Sequence, residues 1–390
     1  MRTQPIERFL KERFFGLRWP MVRALWQKRL WRKLFNYILV ESEMKLKRRR
    51  MSAWPYWLVI DPMSGCDLRC PFCPTGKNKG TRTKKMMAWE EYRRIMDQLG
   101  HVLLQVEFCN WGEPLLNPRI YDMIGYAKKF RLETHLSTNL NNFSTDDAER
   151  LLDSGLDFLI LSIDGASPET YSRYRVGGDF NRVIENVKIL VQARARRGFK
   201  RPYINWQFLV FRHNEHEIET AKKLGRELGV DTVAASPASI PWPDWIPVKE
   251  GACLYPEKND SGIEVQAMLN YPDYLRLKKA SLPMCVWPWI AAVVNANGSV
   301  SPCCGTEDEK DDYGNALETP FRRLLNNRHF RTAREFVASG RKSGVSNACT
   351  ECVLIGKTNM HIPFWWDTGE LNGIPLEKLL EPVENYAARS

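Results

Sequence analysis

The chain has 390 residues, of which 44% are hydrophobic and 26% charged, and its net charge is +11. This is the composition of a globular protein long enough for one large α/β domain and a smaller one. No run of 18 apolar residues occurs, which excludes an ordinary membrane-spanning helix, and no compact apolar core with a small-residue cleavage site opens the sequence, so export is not expected. The ten cysteines then read as reduced thiols or metal ligands in a cytoplasmic protein, not as a disulfide framework.

Residues 1–52 are expected to form a basic helical extension. Residues 1–50 hold 15 Lys/Arg and 4 Asp/Glu, so the chain's whole excess of positive charge lies there. Over residues 20–40, Trp26, Leu30, Trp31, Leu34, Phe35 and Ile38 fall on one side of a helical projection. Lys28, Arg29, Arg32 and Lys33 fall on the other, and the run Lys45–Arg50 follows. Such a helix suits either an anionic membrane surface, through residues 20–50, or the protein's own body. Nucleic acid is not an expected partner, because no nucleic-acid module is present.

From residue 53 to 235 strand and helix patterns alternate. Apolar strand candidates are 57–60, 104–109, 132–137, 158–163, 203–210 and 231–234, with helical patterns near 88–99, 118–130, 144–154, 180–197 and 214–228. Gly155 and Gly229 lie where helices should stop. Alternation of this kind implies parallel strands with right-handed crossovers, and it fits both an open doubly wound sheet and a partial barrel. Residues 236–284, rich in Pro and Trp, read as a long irregular connection or lid. A cysteine-bearing module is expected at 285–352 and a tail at 353–390.

The first candidate strand runs into Cys66-Asp-Leu-Arg-Cys70-Pro-Phe-Cys73. Three thiolates at CxxxCxxC spacing can hold three irons of a cubane and leave the fourth without a cysteine, whereas a closed structural cluster takes four. Zinc sites more often use paired CxxC knuckles. This string resembles the signature of the radical S-adenosylmethionine (SAM) enzymes. The resemblance implies a partial (β/α)6 TIM-like barrel, a [4Fe–4S] cluster on Cys66, Cys70 and Cys73, and SAM at the open iron. It extends to the candidate strand ends. Phe72 matches the aromatic residue placed beside the adenine. Asn110-Trp-Gly-Glu-Pro114 resembles the motif that binds the SAM amino group, with Trp111 in place of a first glycine and Gly112 and Glu113 in register. Ser137 and Asn139 match polar contacts to the ribose or methionine. Ser162 matches the serine that touches the methionyl carboxylate, and Arg175 is a partner for that carboxylate or for a substrate acid. Asp164 and Tyr174 are candidate lining residues. The fifth strand and its loop offer Gln207, His213 and Asn214, of which His213 also reads as an ordinary loop residue.

A second signal lies near the C-terminus. Cys285, Gly298, Cys303 and Cys349-Thr-Glu-Cys352 follow the pattern Cys–x12–Gly–x4–Cys…CxxC. This resembles the SPASM module in its half-size, twitch form, a β-hairpin and helix that hold one auxiliary [4Fe–4S] cluster. Asn297-Gly298 between two apolar segments is a hairpin signal. Cys304 competes with Cys303 as ligand, but adjacent strand residues face opposite ways and the register selects Cys303. Zinc at Cys285, Cys303, Cys349 and Cys352 is the alternative. Cys109 and Cys253 have no partners at ligand spacing and read as buried thiols.

The expected function is a radical SAM enzyme carrying out a two-electron oxidation, with the auxiliary cluster as electron acceptor. The first 50 residues are too few for a peptide-binding domain, so a small-molecule, sugar or lipid-linked substrate is expected as partner. An electron donor such as a flavodoxin or ferredoxin is implied, and the membrane's inner face is a candidate location. A peptide maturase and a non-catalytic metal-bearing binding protein are the alternatives.

Overall fold

The structure is a computed structural model. It describes residues 18–77, 82–237, 243–248, 253–258, 264–269, 285–342, 345–352, 370–371 and 374–379. Most of the 236–284 connection and of the 353–390 tail thus lies outside the described residues, as does 1–17.

Six parallel strands form the core: β1 (Trp57–Ile60), β2 (Gln105–Phe108), β3 (Glu133–Thr138), β4 (Phe158–Ser162), β5 (Tyr203–Val210) and β6 (Thr232–Pro237). They lie side by side in sequence order, the arrangement that repeated right-handed crossovers generate. Helices α3 (Trp89–Leu99), α4 (Ile120–Lys129), α5 (Thr145–Asp153), α7 (Phe180–Arg196) and α8 (Ile218–Leu228) cover the outer face. A short α6 (Pro168–Tyr174) precedes α7. Their apolar stripes meet the outward strand residues Leu58, Val106, Leu136, Leu159 and Ile204 in one core. The caps follow the sequence: Ser144 Oγ accepts from the Asp147 N–H to start α5, and Gly229, at φ 82°, ends α8. Gly155 likewise adopts φ 74° just past α5.

The inner face is built differently. Along β5 buried residues alternate with half-exposed Tyr203, Asn205, Gln207 and Leu209, so a solvent-accessible lumen faces these side chains. A two-stranded ribbon, β7 (Cys253–Lys258) and β8 (Glu264–Leu269), occurs inside the segment expected to be irregular.

The C-terminal hairpin does not make a sheet of its own. After a turn of helix, α9 (Trp287–Ile290), strand β9 (Ala291–Val294) pairs in parallel with β1, placing Ala291 opposite Trp57 and Val294 opposite Ile60. Strand β10 (Val300–Ser301) folds back on it through Asn297-Gly298, with Gly298 at φ 83°. Helices α10 (Phe321–Leu324) and α11 (Arg328–Ser339) follow.

The N-terminal helices correct the expectation for that region. α1 (Trp19–Gln27) and α2 (Trp31–Lys45) pack against Trp57, Val59, Leu104, Trp287 and Ile290, at the strand starts. The buried face is Met21, Ala24, Leu25, Leu34, Tyr37 and Val40, while Trp26 and Phe35 are exposed (62% and 66%). Lys33, expected on the polar side, is buried and donates to the carbonyls of Gly100 and Leu103. The physical reason is the break at Arg29, which takes a left-handed φ of 55°. The two helices are therefore out of phase, and one projection across both assigns the wrong face. Glu43 accepts from the Ser52 and Ala53 N–H groups, and Tyr56 donates to Glu41 at 2.7 Å. These bonds tie the extension to the barrel floor, so it is a structural part of the body, and its assignment to a membrane surface gains no support. Among the described residues no helix is long and apolar enough to cross a membrane.

Candidate functional site

At the C-terminal ends of the strands a cavity of ≈ 400 Å³ opens. It is lined by Cys66, Cys70, Phe72, Cys73, Gly112, Glu113, Ser137, Asn139, Ser162 and Arg175. The structure therefore brings to one cavity all ten residues chosen there from the sequence. Barrel enzymes place their chemistry at this end of the strands.

The cysteine loop leaves β1 and is fastened by local bonds. The Arg69 N–H donates to the Val176 carbonyl at 2.8 Å, and the Cys73 N–H to the Cys70 carbonyl at 3.2 Å. Asn139 Nδ2 donates to Asp67 at 2.8 Å and reaches 3.9 Å from Cys66 Sγ. Burial pushes the Cys66 thiol up to about 12 and also raises that of Cys70. A bound cationic centre reverses this balance, because a ligating thiol gives up its proton. Among the described residues no three His, Cys, Asp or Glu side chains converge tightly enough to clasp a single metal ion. Cys66, Cys70 and Cys73 line one cavity, and three thiols are the donor chemistry that suits an iron–sulfur cluster.

Glu113 is the cavity's most tightly held acid. Its Oε1 accepts from Thr138 Oγ1 at 2.6 Å and from the Leu115 N–H at 3.0 Å, and its Oε2 accepts from the Asn139 N–H at 2.9 Å. Burial nevertheless pushes its carboxyl up to about 7. Gly112 lets the Glu113 loop approach the cysteine loop: a Cβ there would stand 1.5 Å from the Met63 carbonyl oxygen. The Glu113 N–H then donates to the Gly65 carbonyl at 2.8 Å.

Arg175 is committed differently from its sequence reading. Its Nε donates to Asp164 Oδ2 at 2.6 Å, and its Nη1 stands 3.9 Å from Cys70 Sγ. Phe72 lies among Tyr174, Phe211 and Trp245, with ring centroids 5.9, 6.0 and 4.8 Å away. Ser137 and Ser162 stand 3.4 Å apart on neighbouring strands.

Some expectations are corrected. Gln207 and His213 do not line the cavity. The His213 ring packs on Phe211 and Trp245, and burial, then Arg173, brings its pKa down to about 4. Asn214 is a structural link, accepting from the Phe211 N–H and donating to the Asp164 and Leu209 carbonyls. Cys109 is more than a buried thiol: it is half-buried and lines the cavity, as its place just before Asn110-Trp-Gly-Glu could have suggested. Asp61, fully buried after β1, faces the backbone N–H groups of Gly112, Met63 and Trp111. A lone Asp after an apolar strand carries no sequence signal for that role.

The second cysteine set lies behind this wall. Cys285 and Cys303 pack on the apolar cluster beneath β1 and β9, while Cys304 is exposed. Cys349 is buried, and the thiols of Cys303, Cys285 and Cys352 lie near enough to act on it electrostatically. The Cys352 N–H donates to the Cys349 carbonyl at 3.3 Å, forming a tight knuckle.

Comparison with known proteins gives two family matches: the radical SAM superfamily over residues 60–233 and an iron–sulfur cluster-binding domain, SPASM, over residues 285–353. Among curated proteins, the AdoMet-dependent heme synthase of Methanosarcina barkeri is 28% identical over 46% of this chain and 49% of its own. The PqqA peptide cyclase of Bradyrhizobium diazoefficiens is 23% identical over 65% of this chain and 67% of its own. The chain spans about half the length of the first curated relatives it matches. Among solved structures, SuiB of Streptococcus suis bound to S-adenosylmethionine superposes with a TM-score of 0.56 at 17% identity, over 83% of this chain and 76% of that one. SuiB bound to the precursor peptide SuiA gives 0.53 at 17% identity, over 76% and 70%.

These findings overturn the expected small-molecule, sugar or lipid-linked partner. SuiB is described bound to the precursor peptide SuiA, not to a sugar or lipid, and the short N-terminal extension was no argument against a peptide. On the two matched domains and the parallel barrel that joins them, this chain belongs to the radical SAM enzyme superfamily and carries a SPASM-type auxiliary iron–sulfur domain.

Proposed function

We propose that the chain is a radical SAM enzyme that modifies a peptide. The observation that carries the reading is the single cavity that unites the CxxxCxxC loop with the clamped Glu113. The choice of a peptide rests on the PqqA peptide cyclase relatives and on the likeness to SuiB bound to SuiA.

In this reading Cys66, Cys70 and Cys73 hold a [4Fe–4S] cluster. Cys285, Cys303, Cys349 and Cys352 hold one auxiliary [4Fe–4S] cluster. When bound, the first cluster and SAM supply a 5′-deoxyadenosyl radical that removes a hydrogen atom from the substrate, and the auxiliary cluster supplies an electron acceptor. The protein's part is positional. Glu113 would receive the SAM amino group, and Thr138 and the Asn139 N–H fix its two oxygens. Gly112 permits the close approach of the two loops. Phe72 would hold the adenine, and Ser137, Asn139 and Ser162, which line the cavity, would offer polar contacts to ribose and methionine. Arg175, held by Asp164, places positive charge against Cys70 and offers its outer nitrogens to a carboxylate.

The test uses deuterium. Reconstituted protein, SAM and dithionite are incubated with the peptide, sugar and lipid fractions of a perdeuterated extract of the source cells. Deuterium in 5′-deoxyadenosine from the peptide fraction is the expected result. Label arriving only from the sugar or lipid fraction would overturn the peptide assignment.

A further inference from the structure

The cavity wall and the auxiliary segment are joined at Thr306. Its carbonyl oxygen accepts from Trp111 Nε1 at 3.0 Å and from Arg82 Nη2 at 2.9 Å. The same residue's N–H donates to the Cys303 carbonyl at 3.3 Å, and its Oγ1 stands 3.9 Å from Cys303 Sγ. Trp111 lines the cavity and immediately precedes Gly112 and Glu113. Arg82 lies on the return from the cysteine loop.

Arg82 does more than touch Thr306. Its guanidinium grips Asp312 with two bonds, 2.7 Å to Oδ2 and 2.9 Å to Oδ1, and reaches Ser301 Oγ at 3.2 Å. The side chains of this pair are only 8% and 5% exposed. Next to it, the Thr83 N–H donates to Glu309 at 2.8 Å. A buried bidentate pair gives little net stability compared with apolar packing, and its best-attested use is to fix register. Docking of the hairpin is already secured by the β1–β9 pairing and the apolar cluster beneath it. The polar joint therefore has a narrower task, setting where the Glu113 loop stands relative to the Cys303 segment.

We propose that Arg82 is a positioning residue that couples the two cofactor sites, so that an ordered auxiliary site tightens the binding of SAM. The coupling rests on the ligand sets given under Proposed function. It is reciprocal by linkage: SAM in the cavity steadies the auxiliary segment to the same degree.

The experiment measures SAM affinity and iron content of the full-length, anaerobically reconstituted protein. Variants are Arg82→Met, the paired change Cys349→Ala/Cys352→Ala and their combination, with Asp312→Asn and Cys285→Ala/Cys303→Ala as second versions of each lesion should one fail to fold. Each lesion alone is expected to weaken SAM binding about tenfold, an ordinary size for coupled sites. The combination is expected to match the weaker lesion within about twofold, because both break one linkage. Iron content reads the ligand assignment separately: with two of the four thiolates gone, the paired cysteine variant should fall from about eight irons to about four. If iron does not fall, the ligand reading fails and the coupling with it. If iron falls while the paired cysteine variant binds SAM like the wild type, or if the two losses add, the ligand reading stands and the coupling is overturned.

Discussion

Arg175 Nε donates to Asp164 Oδ2 at 2.6 Å, from a site where Asp164 is fully buried and the arginine side chain is 14% exposed. Asp164 Oδ1 meanwhile accepts from the Leu209 N–H at 2.7 Å, so one carboxylate braces both the arginine and the end of β5. Removing it leaves a buried guanidinium without its counter-charge. Asp164→Ala is expected to destabilise the cluster-free protein by about 3–5 kcal/mol. Urea unfolding measures this, and a loss within about 0.5 kcal/mol, as for an ordinary surface change, contradicts the bracing role.

Glu113 makes stability depend on pH. Its folded carboxyl is raised from 4.5 to about 7, chiefly by burial. The native state then binds the proton more tightly than the unfolded chain does. Its contribution is fully present below pH about 4.5 and is lost as pH rises through about 7. From those two values the loss is on the order of 3 kcal/mol. Glu113→Gln should remove that part of the slope. Denaturant unfolding of wild type and variant, cluster-free, at about pH 5 and about pH 8 gives the comparison. Equal slopes in the two proteins contradict a raised Glu113.

The two cysteine sets should separate on substitution. Cys66→Ala, Cys70→Ala or Cys73→Ala is expected to abolish SAM cleavage and to remove about four irons, leaving the auxiliary four. Iron analysis with assay of 5′-deoxyadenosine checks this. Retained cleavage in any of the three contradicts the assignment.

The N-terminal helices give a contrast that a helical wheel would reverse. Lys33→Ala strands the Gly100 and Leu103 carbonyls in a buried site and is expected to cost about 1–3 kcal/mol. Phe35→Ala removes a side chain that is 66% exposed and is expected to stay within about 0.5 kcal/mol. Thermal or urea unfolding of both variants decides it, and the opposite order contradicts the observed packing.

The sequence was legible where chemistry is local. The cysteine loop, Phe72, Gly112 and Glu113 sit within short strings, and Ser137 and Ser162, near the ends of their strands, line the same cavity. The strand and helix periods also gave the parallel strand–helix units, because each folds from contiguous residues, while the partial barrel came from the family resemblance and not from the periods. What failed was long-range or phase-dependent. The Trp111–Thr306 bond joins residues 195 apart, and no spacing rule reaches that far. The buried face of the N-terminal helices was misassigned because Arg29 resets the helical phase. Pro256, within β7, hid a strand from propensity reasoning. The partner was misread because a short extension was taken to speak against a peptide.

The central claim is that one iron of the first cluster carries no thiolate and is free to take the amino and carboxylate groups of SAM. Electron–nuclear double resonance on the reduced, reconstituted protein tests it directly, with SAM labelled by 15N at the amino group and 17O at the carboxylate. Hyperfine coupling of both nuclei to the cluster is the expected result, lost in Cys70→Ala. A fully loaded cluster showing no coupling to either nucleus would contradict the account.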